Sequence, residues 1–283
     1  CNAKGKDKAK HVVFIGLDGW GAYSLPKADM PNVKKLMEDG SYTLKKRSAL
    51  PSSSAINWAS MFMGAGPELH GYTEWGSKTP ELPSRVLNKN GIFPTVFQLL
   101  RDARPEAEIG CLYEWEGIKY LVDTLSLNYH YHVADCNKTP KELGNMASAY
   151  IKEKHPALVA ICYDGPDHTG HTEGHDTPAY YEKLKELDIY VGQIVQAVKD
   201  AGILDDTIFI LTSDHGGIDK GHGGKTMQEM ETAFIISGKN IKKGLRFDDV
   251  SMMQYDVAST IASIFNLEQP QVWIGRPMKI VFK

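Results

Sequence analysis

The sequence predicts an α/β protein with a mostly parallel central sheet, helices on both faces, and a small lid or insertion. Three observations carry this. Continuous apolar runs of strand length recur along the chain. Segments with apolar residues at helical spacing lie between them. Polar and glycine-rich breaks follow the runs. A strand buried on both faces needs apolar side chains on both, so it reads as an unbroken run instead of an alternation. Alternating strands and helices then assemble into one sheet covered on each side.

The elements follow in order. His11-Val12-Val13-Phe14-Ile15-Gly16-Leu17 is the first buried strand and ends at Asp18-Gly19. Pro31 to Glu38 is a short helix with Gly40 just past its end. Ser54 to Met63 is a second helix, opened by three serines of which at least one is expected to cap it. Pro94 to Arg101 is a helix, followed by a strand near Ile109-Gly110-Cys111-Leu112. Leu143, Met146, Ala147, Tyr150 and Ile151 mark a helix face at period 3.6. Ala157 to Tyr163 is a buried strand, and the stripe from Tyr180 to Val198 is a long helix stopped at Gly202. Thr207 to Thr212 and Ala233 to Ile236 are strands, and Val257, Ile261 and Ile264 lie along a late helix. Residues 76–140 have weak periodicity and four prolines among residues 80–105, which suggests a lid or insertion over the site. Residues 11–283 are expected to form a single catalytic domain.

Bulk properties narrow the class. The chain has 283 residues, 42% hydrophobic and 24% charged, with a formal net charge of -3. That balance offers no basic excess for a nucleic-acid polymer. No run of about 18 apolar residues offers a membrane span. Residues 1–10 are small, polar and lysine-rich, and read as a flexible tether. Cys1 followed by such a spacer resembles a processed bacterial lipoprotein, which implies a lipid anchor and a periplasmic or cell-surface location; the other reading is an arbitrary chain end. None of the four cysteines forms a CxxC pair, so a thiolate zinc site is not expected. Cys162 reads as a buried hydrophobe, and Cys111 and Cys136 are open to a single disulfide.

Ligands of α/β sheets bind beyond the carboxyl ends of strands. Asp18 ends the first strand. Asp167 and His171, four apart, follow the strand ending at Tyr163. Asp214-His215 follow the strand ending at Thr212, and His222 sits in the glycine-rich Gly221-His222-Gly223-Gly224. Carboxylate with imidazole suits zinc, manganese or iron better than calcium. A lone Asp after a strand is often a helix cap, and a lone loop His is usually just solvated. The coincidence of several on one sheet edge favours a metal site. The serines at 52–54 open a helix, whose N-terminus attracts phosphate, and a bound divalent metal activates such a hydroxyl as a nucleophile.

These residues resemble the alkaline phosphatase superfamily, and within it the type I phosphodiesterase/nucleotide pyrophosphatase group. Asp18-Gly19 resembles its first metal-ligand strand, and Met30-Pro31-Asn32-Val33 to Gly40 its TPNLxxLxxxG helix. Ser54, Asn57, Ser60, Gly64, Pro67, His70 and Gly71 resemble the nucleophile helix and its exit. Pro166-Asp167-His168-Thr169-Gly170-His171 is similar to PDxxGH, Thr212-Ser213-Asp214-His215-Gly216 to TSDHG, and Gly275-Arg276-Pro277 to the closing G-x-P. The resemblance implies two divalent metal ions, zinc with manganese as the alternative. Asp167, His171 and His222 would hold one. Asp18, Asp214, His215 and the Ser54 hydroxyl would hold the other. It also implies a phospho-Ser54 intermediate and a small-molecule phosphoester substrate, with phosphodiester or pyrophosphate bonds favoured.

The chain departs from the group at three places. Tyr72-Thr73-Glu74-Trp75-Gly76 lacks the Asn that holds a phosphate oxygen; Asn57 is either its stand-in or an ordinary helix-turn residue, and Trp58 or Trp75 is either an aromatic wall or part of the core. Ser54-Ala55 stand where the group has Thr and a base-stacking aromatic. His222 follows His215 by only seven residues, with His175 in reserve. A phosphomonoesterase or phosphomutase of the same superfamily is the alternative, with Lys220 and Lys225 as cations for a monoester. A sulfatase would need Pro and Arg two and four residues after its modified residue; Ile56 and Trp58 stand there. An inactive surface binding protein is disfavoured because every ligand type is present.

Overall fold

The computed structural model describes residues 5–134 and 139–283. In chain order the elements are β1 (His11–Leu17), α1 (Pro31–Glu38), β2 (Gly40–Arg47), α2 (Ser54–Met63), α3 (Pro67–His70), α4 (Val96–Ala103), β3 (Ile109–Tyr113), β4 (Tyr129–His132), α5 (Thr139–Lys154), β5 (Leu158–Tyr163), α6 (Asp167–Glu173), α7 (Pro178–Asp200), β6 (Thr207–Thr212), α8 (Met227–Met230), β7 (Glu231–Gly238), β8 (Leu245–Arg246) and α9 (Asp256–Ile264).

One eight-stranded sheet runs β4-β3-β5-β1-β6-β7-β2-β8. The stretch from β4 to β6 is parallel throughout. β7 runs against both β6 and β2, and β8 is parallel to β2, so the sheet is mixed on that side. β1 shows why its sequence has no polar break. Val12 and Phe14 enter one core with Phe62, Phe97 and Ile261 of α2, α4 and α9. Val13, Ile15 and Leu17 enter the other with Leu36, Leu143 and Val191 of α1, α5 and α7. Each strand side chain thus meets a helix layer whichever way it points.

The stretch 76–140, expected as a lid or insertion, divides. Its first part is irregular chain, whereas β3 and β4 belong to the main sheet and α4 packs against α9. β4 escapes a pattern search because it is an edge strand, Tyr-His-Tyr-His, with no fully buried residue. Residues 5–10, expected within a free tether, lie along the body. Lys8 N donates to Ile264 O at 2.8 Å, Lys10 N to Asp206 O at 3.0 Å, Asp7 pairs with Arg104 at 3.0 Å, and Ala9 is buried. Cys1 and Cys136 lie outside the described residues, and with them the lipid anchor and the disulfide to Cys111. Cys111 and Cys162 are buried in β3 and β5. No helix among the described residues is long and apolar enough to cross a membrane.

Candidate metal centre and active site

The carboxyl ends of β1, β5 and β6 bring the Asp and His residues together. Asp18 follows β1 directly, Asp167 opens α6 after β5, and Asp214-His215 follow β6. Gly19, at φ 74°, permits this closeness: a Cβ there would sit 2.6 Å from the Asp167 side chain. Gly16 leaves room for the Trp58 indole, whose Nε1 donates to Asp18 Oδ2 at 3.1 Å. Trp58 is therefore a buried support for Asp18 and no cavity wall.

The histidines share one hydrogen-bonding pattern. Nδ1 of His171, His215 and His222 lies 2.8, 2.6 and 2.8 Å from the carbonyls of Lys220, Gly216 and Ser52. A carbonyl only accepts, so Nδ1 is the donor and the neutral ring turns a bare lone pair outward on Nε2. Those Nε2 atoms face acceptors. His171 Nε2 is 3.0 Å from Asp167 Oδ2 and 3.2 Å from His222 Nε2. His215 Nε2 is 3.3 Å from Asp18 Oδ1 and 3.2 Å from Asp214 Oδ2, and those two buried oxygens receive no hydrogen bond. Lone pairs facing lone pairs repel unless cations lie between them, and this polarity fits a divalent metal held by oxygen and nitrogen donors.

Two clusters can hold such ions: Asp167, His171 and His222 in one, and Asp18, Asp167 and His215 in the other. Without metal, protons take over the balance. The hydrogen bond to Asp167 lifts His171 to about 9. Burial pushes His215 down, but the Asp214 and Asp18 carboxylates outweigh it and hold it well above the usual imidazole range. Burial, then Asp18, drives Asp214 well above the carboxylate range. Burial, then Asp18 and Asp167, lifts Asp164 to about 8. This crowding of carboxylates is what cations relieve.

Ser54 stands at the start of α2 with its Oγ 3.4 Å from Asp18 Oδ2 and 3.3 Å from His215 Nε2. It opens on a cavity of about 510 Å³ that also touches Asp167, His171, His222, Trp75, Trp115, Asp164 and His168. Trp75 is 67% exposed, and its carbonyl accepts from Ala55 N at the helix start. No lysine or arginine is among the cavity residues, Lys220 and Lys225 included.

Two expectations differ in the structure, the Asn57 stand-in and the serine cap. Asn57 does not line the cavity. It is fully buried, with its side-chain oxygen accepting from Ala49 N at 2.7 Å and its nitrogen donating to the carbonyls of Ala49, Pro51 and Ser53. It braces the loop before Ser54 and has no donor left for a phosphate. Capping by the serines is absent too: Ser53, at the N-cap, makes no side-chain cap bond. Ser52 instead pins the 222–224 loop, accepting from Gly223 N at 2.9 Å and donating to Gly224 O at 2.7 Å. His175, the reserve ligand, is buried with its Nε2 3.1 Å from Asp167 Oδ1, whereas His171 and His222 face the other oxygen, Oδ2. Trp115 escaped the sequence reading as a cavity residue, whereas Asp164 and His168 lie in the candidate stretch 164–171 after β5 but had no role of their own there. Asp164 carries a usable signal, since it directly follows β5.

Known proteins share sequence and fold with this chain. A model of the family described as type I phosphodiesterase/nucleotide pyrophosphatase matches residues 12–238. The mouse (Mus musculus) bis(5'-adenosyl)-triphosphatase enpp4 is 26% identical over 219 residues, covering 74% of this chain and 47% of that protein. GPI ethanolamine phosphate transferase 3 of Schizosaccharomyces pombe is 30% identical over 122 residues, covering 42% of this chain and 13% of that one. The chain thus spans about half the length of the mouse relative and less of the yeast one. The structure of murine ectonucleotide pyrophosphatase/phosphodiesterase 5 with AMP superposes with a TM-score of 0.73 at 14% identity, over 92% of this chain and 96% of that one, which shows a shared fold. With most of its length, residues 12–238, matched by the family model, the chain belongs to the type I phosphodiesterase/nucleotide pyrophosphatase family of the alkaline phosphatase superfamily.

Proposed function

We propose that the protein hydrolyses phosphodiester or pyrophosphate bonds of a small molecule through a phospho-Ser54 intermediate at a two-metal centre. Asp167, His171 and His222 hold one metal. Asp18, Asp214, His215 and Ser54 Oγ hold the other. Zinc is the expected ion and manganese the alternative. Bound there, the two cations polarise the phosphoryl oxygens and stabilise charge on the attacking and leaving oxygens. Ser54 Oγ attacks phosphorus, the leaving alcohol or phosphate departs, and water then cleaves the phospho-Ser54 ester.

The observation that carries this reading is the position of Ser54 Oγ. It sits within 3.4 Å of both Asp18 and His215 and opens on a cavity without lysine or arginine. A monoester brings an extra negative charge to such a site, and no lysine or arginine of the cavity meets it. The name of the mouse relative, a triphosphatase splitting a dinucleoside chain, points the same way. The test compares initial rates on bis-p-nitrophenyl phosphate and p-nitrophenyl phosphate. The diester is expected to be preferred, and a monoester preference above about a hundredfold would overturn the reading. Ser54→Ala is expected to keep both metals and lose turnover by a factor on the order of 10³ or more.

A further inference from the structure

Beneath the centre lies a charged side chain that the chemistry above does not use. Lys46 of β2 is completely buried. Burying an amine this deeply is costly unless its donors are used. Its Nζ donates to Ser213 O at 2.9 Å and to Gln254 Oε1, with Met61 Sδ at 3.9 Å. Gln254, itself buried, donates from Nε2 to Asp214 O, which also accepts from Ser48 Oγ at 2.8 Å. The backbone of Ser213-Asp214, which carries the Asp214 side chain and leads into His215, is therefore held by one amine, one amide and the Ser48 hydroxyl.

The placement is built, not incidental. β2 pairs with β7 and not with β6, so Lys46 reaches across β7 to touch the end of β6. A register shift in β2 falls between Thr43 and Lys46: three steps along β2 face two along β7. Such a bulge turns the following side chain to the other face. Here it leaves Lys45 exposed and sends Lys46 inward. Asp248 pins the bulge, its Oδ1 accepting from Thr43 Oγ1 at 3.0 Å and Leu44 N at 2.9 Å.

We propose that Lys46 is a positioning residue of the metal centre: with Gln254 it fixes the Ser213-Asp214 backbone, and so the aim of Asp214 and His215 at their shared ion. The inference rests on the two-metal reading above. It does not depend on charge, because amine and ammonium both supply the N–H donors.

The test uses the zinc-loaded full chain and measures zinc affinity by competition with a chelating indicator. It runs on the wild type, Lys46→Met, Gln254→Met and, as a control for lost surface charge, Lys45→Met. Lys46→Met and Gln254→Met are each expected to weaken one of the two zinc ions at least tenfold and leave the other within about twofold. Their kcat for bis-p-nitrophenyl phosphate is expected to fall while KM stays within about twofold. A purely structural role would lower the melting temperature without separating the two ions. Wild-type affinities for both ions in Lys46→Met, or the same loss in Lys45→Met, overturn the proposal. If Lys46→Met does not fold, Gln254→Met decides alone: unchanged affinities overturn it. A wild-type chain that takes up no zinc overturns the metal reading, and this inference with it; two tight ions in the wild type with no change in the variants overturn only the role of Lys46.

Discussion

Histidine occupies two contrasting settings in this fold. His70 at the end of α3 is buried, and both nitrogens meet partners of opposite polarity. Tyr72 N donates to its Nδ1 at 3.0 Å, and its Nε2 lies 3.0 Å from Ser60 Oγ, whose own hydrogen goes to Ile56 O. One neutral tautomer satisfies everything. His171, His215 and His222 each have Nδ1 committed to a carbonyl and Nε2 turned toward carboxylates. No neutral tautomer satisfies them. Burial does not separate the two settings, since His70 and His215 are both fully buried. The polarity of the neighbours does.

The comparison breaks most sharply at His222. On the proposed two-metal centre, His222→Ala is expected to lose one metal and to lower kcat/KM on bis-p-nitrophenyl phosphate by roughly a hundredfold or more, because the ion would lose a direct ligand. The metal-free protein is expected to lose only about 1 kcal/mol, that of the Nδ1 bond to Ser52 O, since the ring's Nε2 there faces only repelling or proton-bridged groups. Metal content is read by elemental analysis, and two full equivalents in the variant would remove His222 from the centre. Chelation of the wild type is the next largest effect. Ligand linkage predicts a loss of about 3 kcal/mol of stability for each ion that had been present at a hundred times its Kd. A melting curve unchanged by chelator would mean that the facing lone pairs are not a metal site.

His70 tests the other half. His70→Leu leaves Tyr72 N without its acceptor in a buried place, at a cost of about 1–3 kcal/mol, and no metal is expected to be lost. Its pH signature has a definite sign. Burial lowers the His70 ring from 6.5 to about 3 in the folded chain. The unfolded chain therefore takes up the proton first. The stability His70 contributes is complete above pH 6.5 and is lost as pH falls from there toward 3, with a slope of up to about 1.4 kcal/mol per pH unit. Denaturant titrations of wild type and variant are expected to converge over that window. Parallel curves would show that the buried ring is not held neutral.

These settings were unevenly legible in the sequence. β1, β5 and β6 were readable because burial on both faces forces unbroken apolar runs, and the Asp and His residues just past them followed from where parallel sheets place ligands. β2 was not, because Lys45, Lys46 and Arg47 look like a solvated charge run. Only the bulge, a tertiary feature, turns Lys46 inward. Asn57 misled for a related reason: its partners are backbone atoms of its own approach loop, and an amide beside a nucleophile looks the same in sequence whether it faces substrate or scaffold. Trp115 lies just past β3 at the start of a short 3-10 turn, Glu116–Tyr120, which leaves no period to read.

Ser52 braces the metal-facing setting alone and supplies the smallest effect. Its backbone carbonyl accepts from His222 Nδ1, while its hydroxyl bonds Gly223 N and Gly224 O, tying the loop before Ser54 to the loop that carries His222. Ser52→Ala removes the hydroxyl and keeps the carbonyl. The ring therefore stays oriented, and only the glycine loop loosens. The expected cost is about 1 kcal/mol in stability, or a severalfold weaker hold on the ion at Asp167, His171 and His222. The ion at Asp18, Asp214 and His215 is expected to be unaffected, since none of those side chains touches Ser52. Equal weakening of both ions would mean that the two loops move as one body, and that the orientation of His222 depends on the hydroxyl clamp as much as on the carbonyl beneath its ring.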